Sequence, residues 1–212
     1  MSSPYKVYGA NMSTCTRTVL ATLEEVGANY ELVPVDMAKG EHKSPDYIAK
    51  QHPFGKIPVM WDGDFKLFES LAIARYVADK AHADTLYPKD AKKRALVEQW
   101  LSVYQSNQGP FVDIVVEFMF GPLFFGRQGD AGKVAALTQR LNALLDIFEA
   151  QLQTTKFLAG NDFTLADLAW LPFGTYMLSC AGFENAFDGH AHVKAWWTAI
   201  STRPAWKKIS GK

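Results

Sequence analysis

The stretch running from Ile57 to Ser70, IPVMWDGDFKLFES, decides the fold. Residues 57–61 and 65–68 are short runs of strand-forming side chains, and Asp62-Gly63-Asp64 between them carries the Asp-Gly dipeptide that favours a tight hairpin. The two runs therefore pair antiparallel, and residues 70–80 read as a helix. Ahead of them, residues 6–9 are strand-like, and residues 16–26 place Val19, Leu20, Leu23 and Val26 on one helical face. Residues 30–35 alternate again. A crossover helix between two strands makes them parallel. The order βαβ, an irregular segment, then ββα predicts a mixed four-stranded sheet with helices, an α/β domain over residues 1–80.

After residue 80 the rhythm changes. Residues 81–91, AHADTLYPKDA, are polar, contain Pro88 and read as a linker. Beyond them no strand pattern is convincing. Residues 92–104, 110–120, 131–152, 164–178 and 193–201 read as helices, so residues 92–212 are expected to form an all-α domain. One helix start is unusually clear. Thr164 can cap the backbone N–H three residues on, Asp167 can reach back, and Phe163 can pack on Leu168. Asp167 is accordingly read as an exposed structural cap and not as a catalyst.

The 212 residues, 48% hydrophobic and 21% charged, suffice for a sizeable core. Lys plus Arg equals Asp plus Glu at 22 each, so no net field favours nucleic acid or an anionic membrane as a partner. The start MSSPYKVYGA lacks a basic region followed by an apolar one, and the greasiest stretch, residues 111–125, is interrupted by Asp113 and Glu117. A cytoplasmic protein is expected. Two cysteines, Cys15 and Cys180, fit a reducing compartment better than a disulfide framework.

The chain carries no G-x-S-x-G elbow, no G-x-x-x-x-G-K-[ST] phosphate loop and no G-x-G-x-x-G fingerprint. Its five histidines are dispersed, and no metal site is expected. What remains is a set of helix starts. Asn11 to Leu20 reads NMSTCTRTVL, with the first helix beginning at Ser13 or Thr14. A helix N-terminus offers unsatisfied N–H groups and about half a positive charge, so it stabilises an anion. A thiolate docked there could also receive a hydrogen bond from the Ser13 hydroxyl, roughly twice as strong as a neutral one. The helix opening at Ser70 repeats the logic: Ser70 suits a carboxylate and Glu69 an ammonium, together the α-amino acid end of a ligand. Between the two lies Lys56-Ile57-Pro58. Proline cannot donate to a ladder, so it stands at a strand start or edge, accommodates a cis bond and leaves its neighbour's backbone for an extended peptide. Taken singly, Ser13 is an N-cap and Glu69-Ser70 a helix start; their order within one small unit raises both.

With these residues in place, the sequence resembles the cytosolic glutathione S-transferases. GANMSTCTRTV, KGEHKSPDYIAKQHPFGKIPV, FKLFESLAIARYV, FLAGNDFTLADL and WWTAISTRPAWKK fall in family order across essentially the whole chain. The serine four residues before Arg17, with GEHK and HPFG, is most similar to the phi class. The resemblance implies a thioredoxin-like first domain that binds glutathione and an all-helical second domain. It implies that Ser13 hydrogen-bonds the glutathione sulfur, that His42 and Lys43 reach the glycine carboxylate, and that Lys56 is a further contact. Ile57, followed by a cis Pro58, would pair with the cysteinyl backbone, and Glu69 with Ser70 would hold the γ-glutamyl end. It also implies a homodimer, with Phe54 a candidate for insertion into the partner, and a pocket for hydrophobic electrophiles between the domains near Met12, Glu117, Phe120 and Tyr176. Glutathione is expected as co-substrate, with no tightly bound cofactor.

Two departures stand out. The phi pattern commonly reads N-P-F-G-Q-V-P where this chain has His52-Pro53-Phe54-Gly55-Lys56-Ile57-Pro58, so Lys56 keeps a donor and loses an amide acceptor. Cys15 is the second, because some relatives use a catalytic cysteine near this turn. It lies two residues beyond Ser13, about 200° round the helix, and is expected to pack in the core or against a helix. The expected reactions are addition or substitution by glutathione on hydrophobic electrophiles, with reduction of organic hydroperoxides as a further one. A non-catalytic ligand-binding protein and a Cys15-dependent thiol transferase are the rivals; Ser13 favours the enzyme.

Overall fold

A computed structural model of the chain describes residues 4–211, so the expected domain limits at residues 1 and 212 lie outside the described residues. They fall into two compact units. The first runs to Tyr87 and takes up the chain again at Pro204; the second is Pro88–Arg203.

In the first unit the elements are β1 (Tyr5–Gly9), α1 (Thr14–Glu25), β2 (Tyr30–Pro34), a 3-10 turn at Glu41–Lys43, α2 (Pro45–Lys50), β3 (Val59–Asp62), β4 (Phe65–Phe68) and α3 (Ser70–Lys80). The sheet order is β2-β1-β3-β4, with β1 parallel to β2 and antiparallel to β3. Asp62 pairs with Phe65 across a two-residue turn in which Gly63 takes φ 62°, a conformation glycine adopts without steric cost. Alternation along the strands separates two cores. Val7 and Met60 face one way, against Val19, Leu20 and Leu23 of α1 and Ile73 and Val77 of α3. Tyr8, Val59, Trp61 and Phe68 face the other, against Tyr47 of α2. Each fully buried aliphatic side chain in these layers contributes roughly 1.5–3 kcal/mol.

Two pieces of this unit escape the periodicity. Helix α2 is only six residues long, although Ser44 caps it by accepting from the Tyr47 N–H at 3.1 Å and Pro45 supplies its first turn. The last helix, Pro204–Ser210, belongs with the first unit, whereas the sequence reading has no helix beyond residue 201 and assigns these residues to the all-α domain. Ile209 packs on the α1/α3 core, and Lys208 Nζ lies 2.8 Å from Glu24 Oε1. Seven residues hold too few turns to reveal which core they face.

The second unit is helical: α4 (Ala91–Asn107), α5 (Gly109–Val115), a π-helical segment at Val116–Phe120, α6 (Gly121–Phe125), a 3-10 turn at Ala131–Lys133, α7 (Val134–Leu152), α8 (Leu165–Leu168), α9 (Leu171–Met177) and α10 (Ala191–Ser201). Its centre is Trp170, fully buried, with the rings of Tyr104 and Phe148 edge-on at 5.0 and 4.9 Å. The expected helix over 164–178 is two helices, because Pro172 lacks an N–H and opens a new first turn in α9. Asp167 is not exposed: it is fully buried and joins three segments, accepting from Leu158 N (2.9 Å), Thr164 N (3.0 Å) and Trp196 Nε1 (2.9 Å). Among the described residues no single helix is long and apolar enough to cross a membrane.

Candidate active site

The β1–α1 corner is built by close approach. A Cβ on Gly9 would stand 2.6 Å from Thr16 Oγ1, so only glycine lets the end of β1 meet the first turn of α1. Thr16 Oγ1 accepts from the Ala10 N–H at 3.4 Å, and Arg17 Nε donates to the Asn11 carbonyl at 2.7 Å. Ser13 follows in extended conformation (φ −74°, ψ 123°) as the N-cap of α1, its Oγ accepting from the Thr16 N–H at 3.2 Å. Capping of this kind contributes about 1 kcal/mol. It occupies a lone pair of the oxygen. A hydroxyl that accepts in this way still has a hydrogen to donate.

Cys15 is exposed and not part of the core, which corrects that half of the expectation, although its thiol lies against the first residue of α3. Its thiol hydrogen-bonds with the Ser70 and Thr14 side chains and lies in the fields of Glu69 and Lys56. Access to its surface is open, yet desolvation by the surrounding protein outweighs those hydrogen bonds and pushes the thiol up. The side chain meets the first residue of α3 and is not enclosed by it.

Glu69 has φ 73°, ψ 112° and makes no side-chain cap bond; its carbonyl accepts from the Ile73 N–H at 2.9 Å. A non-glycine residue held there costs roughly 1–3 kcal/mol and persists only where its surroundings impose it. Ser70 is the first residue of α3. Ile57-Pro58 is cis, as the sequence suggested, and β3 begins just beyond it at Val59. The Tyr47 hydroxyl donates to the Lys56 carbonyl at 3.0 Å and fixes the approach to this turn. Burial, then the Glu41 charge, pushes that phenol up to about 12, so it remains a donor at neutral pH.

The loop carrying His42 and Lys43 lies against the loop at 52–56. A Cβ on Gly55, whose φ is 57°, would stand 2.6 Å from the His42 carbonyl oxygen, and Lys43 Nζ donates to the Phe54 carbonyl at 3.3 Å. The His42 pKa is lowered, first by burial and then by the Lys43 charge, and its Nδ1 is buried without a hydrogen-bond partner. His52 is 2% exposed, stacks 4.6 Å from Phe68, and feels Glu69, Lys56 and Lys43 at once. Lys43, Lys56 and Glu69 therefore gather around His52, and Lys56, Glu69 and Ser70 reach Cys15, two residues beyond Ser13. Sequence reading overlooked Tyr47, His52 and Thr16 as supports; the Ser-Pro start of α2 was the signal for the first.

Two further expected residues adjoin this cluster in the chain, Met12 ahead of Ser13 and Phe54 two positions before Lys56. Phe54 is 68% exposed and Met12 44%. In the second unit the Phe120 ring lies 5.5 Å from that of Tyr176, edge-on, while both oxygens of Glu117 are engaged, by Asp130 N at 3.0 Å and Lys133 Nζ at 3.0 Å.

Two family models match the chain: the glutathione S-transferase N-terminal domain over residues 3–79 and the C-terminal domain over residues 77–204. Glutathione S-transferase F9 of Arabidopsis thaliana is 41% identical over 210 residues, covering 98% of this chain and 96% of the relative. The crystal structure of glutathione transferase F7 from Populus trichocarpa superimposes with a TM-score of 0.91 at 41% identity, covering 98% of each chain. Glutathione S-transferase I from maize, in complex with an atrazine glutathione conjugate, gives a TM-score of 0.91 at 33% identity, covering 99% of this chain and 97% of that one.

Proposed function

We propose that this chain, which belongs to the glutathione S-transferase family and is most like its phi class, activates the glutathione thiol through Ser13. Membership makes it a glutathione transferase; the residue roles are the proposal. The observation that carries it is the Ser13 cap. Its oxygen takes the Thr16 N–H at 3.2 Å, which leaves its hydrogen available to a sulfur set against the N-terminus of α1.

A free thiol titrates near 8.5, so only a few per cent is thiolate at neutral pH. Lowering that value by about 2 units requires about 2.7 kcal/mol of preferential stabilisation. A hydrogen bond to a charged group contributes roughly 1.5–3 kcal/mol, and the helix terminus adds about 0.3–1 kcal/mol. Those terms match the need. Glutathione carries two carboxylates and one ammonium, which complement His42, Lys43 and Lys56 at one end and Glu69 with Ser70 at the other. The Ile57 backbone ahead of cis Pro58 is proposed to pair with the cysteinyl segment. The thiolate then attacks a hydrophobic electrophile, its former proton passing to solvent and the leaving group departing when the reaction is a substitution. Phe120 and Tyr176 supply aromatic surface for that acceptor, and Met12 is the apolar neighbour of Ser13. With an organic hydroperoxide, two glutathiones yield the alcohol, water and glutathione disulfide.

Ser13→Ala tests the reading. It should lower kcat/KM for conjugation about 10- to 100-fold, as expected for loss of a charge-assisted hydrogen bond, and move the pH–rate midpoint upward toward the free thiol. Turnover and profile close to wild type would defeat it. A second reading, thiol transfer by Cys15, is favoured by one observation, the exposed thiol beside Ser70. Cys15→Ala assayed with a mixed-disulfide substrate decides between them. A homodimer is also proposed, supported by the exposure of Phe54. Phe54→Ala should shift sedimentation toward a monomer; a wild-type chain that sediments as a monomer removes that proposal.

A further inference from the structure

We infer that Glu117 is a positioning residue for acceptor selectivity, acting through a clip that holds the π-helical turn carrying Phe120. The inference rests on the reading that Phe120 and Tyr176 meet the acceptor. Within Val116–Phe120 the hydrogen bonding steps one residue further than in an α-helix, with the Gly121 N–H donating to the Val116 carbonyl. Such a turn rotates the side chains beyond it relative to an uninterrupted helix, and π turns occur mostly as single interruptions at functional sites. It has to be held in place. A Cβ at Gly121 would stand 2.8 Å from the Val116 oxygen, so glycine is required for this close approach.

The segment after α6 closes back on the turn at successive points. Gly126 reverses the chain at φ 62°, and the Arg127 N–H donates to the Gly121 carbonyl at 3.3 Å. Gly129 lies flat on the Phe118 ring, where a Cβ would come within 2.5 Å of the ring edge. Glu117 then locks the loop. Its Oε1 accepts from the Asp130 N–H and its Oε2 pairs with Lys133 Nζ, each at 3.0 Å, while Asp130 caps the following 3-10 turn through the Gly132 N–H at 2.9 Å. Glu117 therefore turns its carboxylate to the loop and not to a ligand. The next side chains on the same turn are Phe118, 5.7 Å from Phe183, and Phe120, set between Phe124 and Tyr176 at 5.5 Å from each. A carboxylate that fixes the turn fixes the direction of the Phe120 ring.

The test is steady-state kinetics with one compact and one bulky aromatic acceptor, glutathione being varied separately. Glu117→Ala should raise acceptor KM about three- to tenfold, the scale of losing one charge-assisted hydrogen bond, and change the preference between the two acceptors. KM for glutathione should stay within about twofold. Glu117→Gln, which retains an acceptor for the Asp130 N–H, should recover most of the loss. Should Glu117→Ala fail to fold, Lys133→Met at the exposed end of the pair reads the same split. Phe120→Ala is the control for the underlying reading. If it raises acceptor KM while the Glu117 and Lys133 variants leave KM and preference unchanged, the clip is overturned and the acceptor reading stands. If Phe120→Ala also leaves the acceptor unaffected, both fall.

Discussion

Two helix caps in this molecule look alike in sequence and differ in what they leave available. Ser13 opens α1 and Thr164 opens α8, and each hydroxyl accepts from a backbone N–H of its first turn. Thr164 is 4% exposed, its hydroxyl also donates to Asp167 Oδ2 at 3.2 Å, and Asp167 collects backbone and indole donors from three segments. Nothing at that corner is left to offer a ligand. Ser13 is half-buried, two residues ahead of the Cys15 thiol that meets Ser70, and its oxygen accepts the Thr16 N–H. A hydroxyl at a helix start is structural or chemical according to whether the tertiary structure has already used its hydrogen.

The largest effect separating the two corners should come from Asp167→Ala. Removing Asp167 leaves the Leu158 N–H, the Thr164 N–H and the Trp196 indole N–H without their acceptor, and each buried donor so stranded costs about 1–3 kcal/mol. Urea unfolding measures it, and Asp167→Asn should lose clearly less. Burial pushes this carboxyl up to about 6, against the hydrogen bonds from Leu158, Trp196 and Thr164. Its folded pKa lies above the unfolded value near 3.9, so its contribution is fully present below that value and is lost as pH rises through about 6. The wild type's stability advantage over Asp167→Asn should therefore widen from pH 7 to pH 4.

Next comes Ser13→Ala, which should mirror it: the pH–rate midpoint moves, while unfolding changes by only about 1 kcal/mol for the lost cap. Thr164→Ala should show the reverse, about 0.5–2 kcal/mol of stability with an unmoved pH–rate profile. An equal kinetic effect from both would erase the distinction. The smallest change is expected at Glu69→Gly. Relief of its positive φ should offset part of glycine's entropic cost, roughly 0.5–1 kcal/mol in regular elements, so melting moves little while KM for glutathione rises. A large loss of stability would mean that Glu69 is held for packing and not for the ligand.

Much of the fold was legible. The helix over 70–80 was read to the residue, and the strands to within one or two positions. Pro172 hid its break inside a continuous apolar pattern, and the π turn at 116–120 leaves no periodic signature in five residues. At the site, Ser13, Pro58, Glu69 and Ser70 stand at turns and helix starts, where local chemistry shows in the residue type. Cys15 was misplaced because its exposure depends on α3, which sequence reaches only 55 residues later.

The strand order of the first unit, the caps at Ser13 and Thr164, the Asp-Gly turn and the family were settled by the amino-acid sequence alone, since each follows from short-range sterics, hydrogen bonding or motif spacing. Only tertiary structure decided that the last helix joins the first unit, that Asp167 is buried, that Cys15 is open and that Glu117 faces a loop. Those outcomes depend on which distant segments exclude water from a side chain, and no local pattern carries that information.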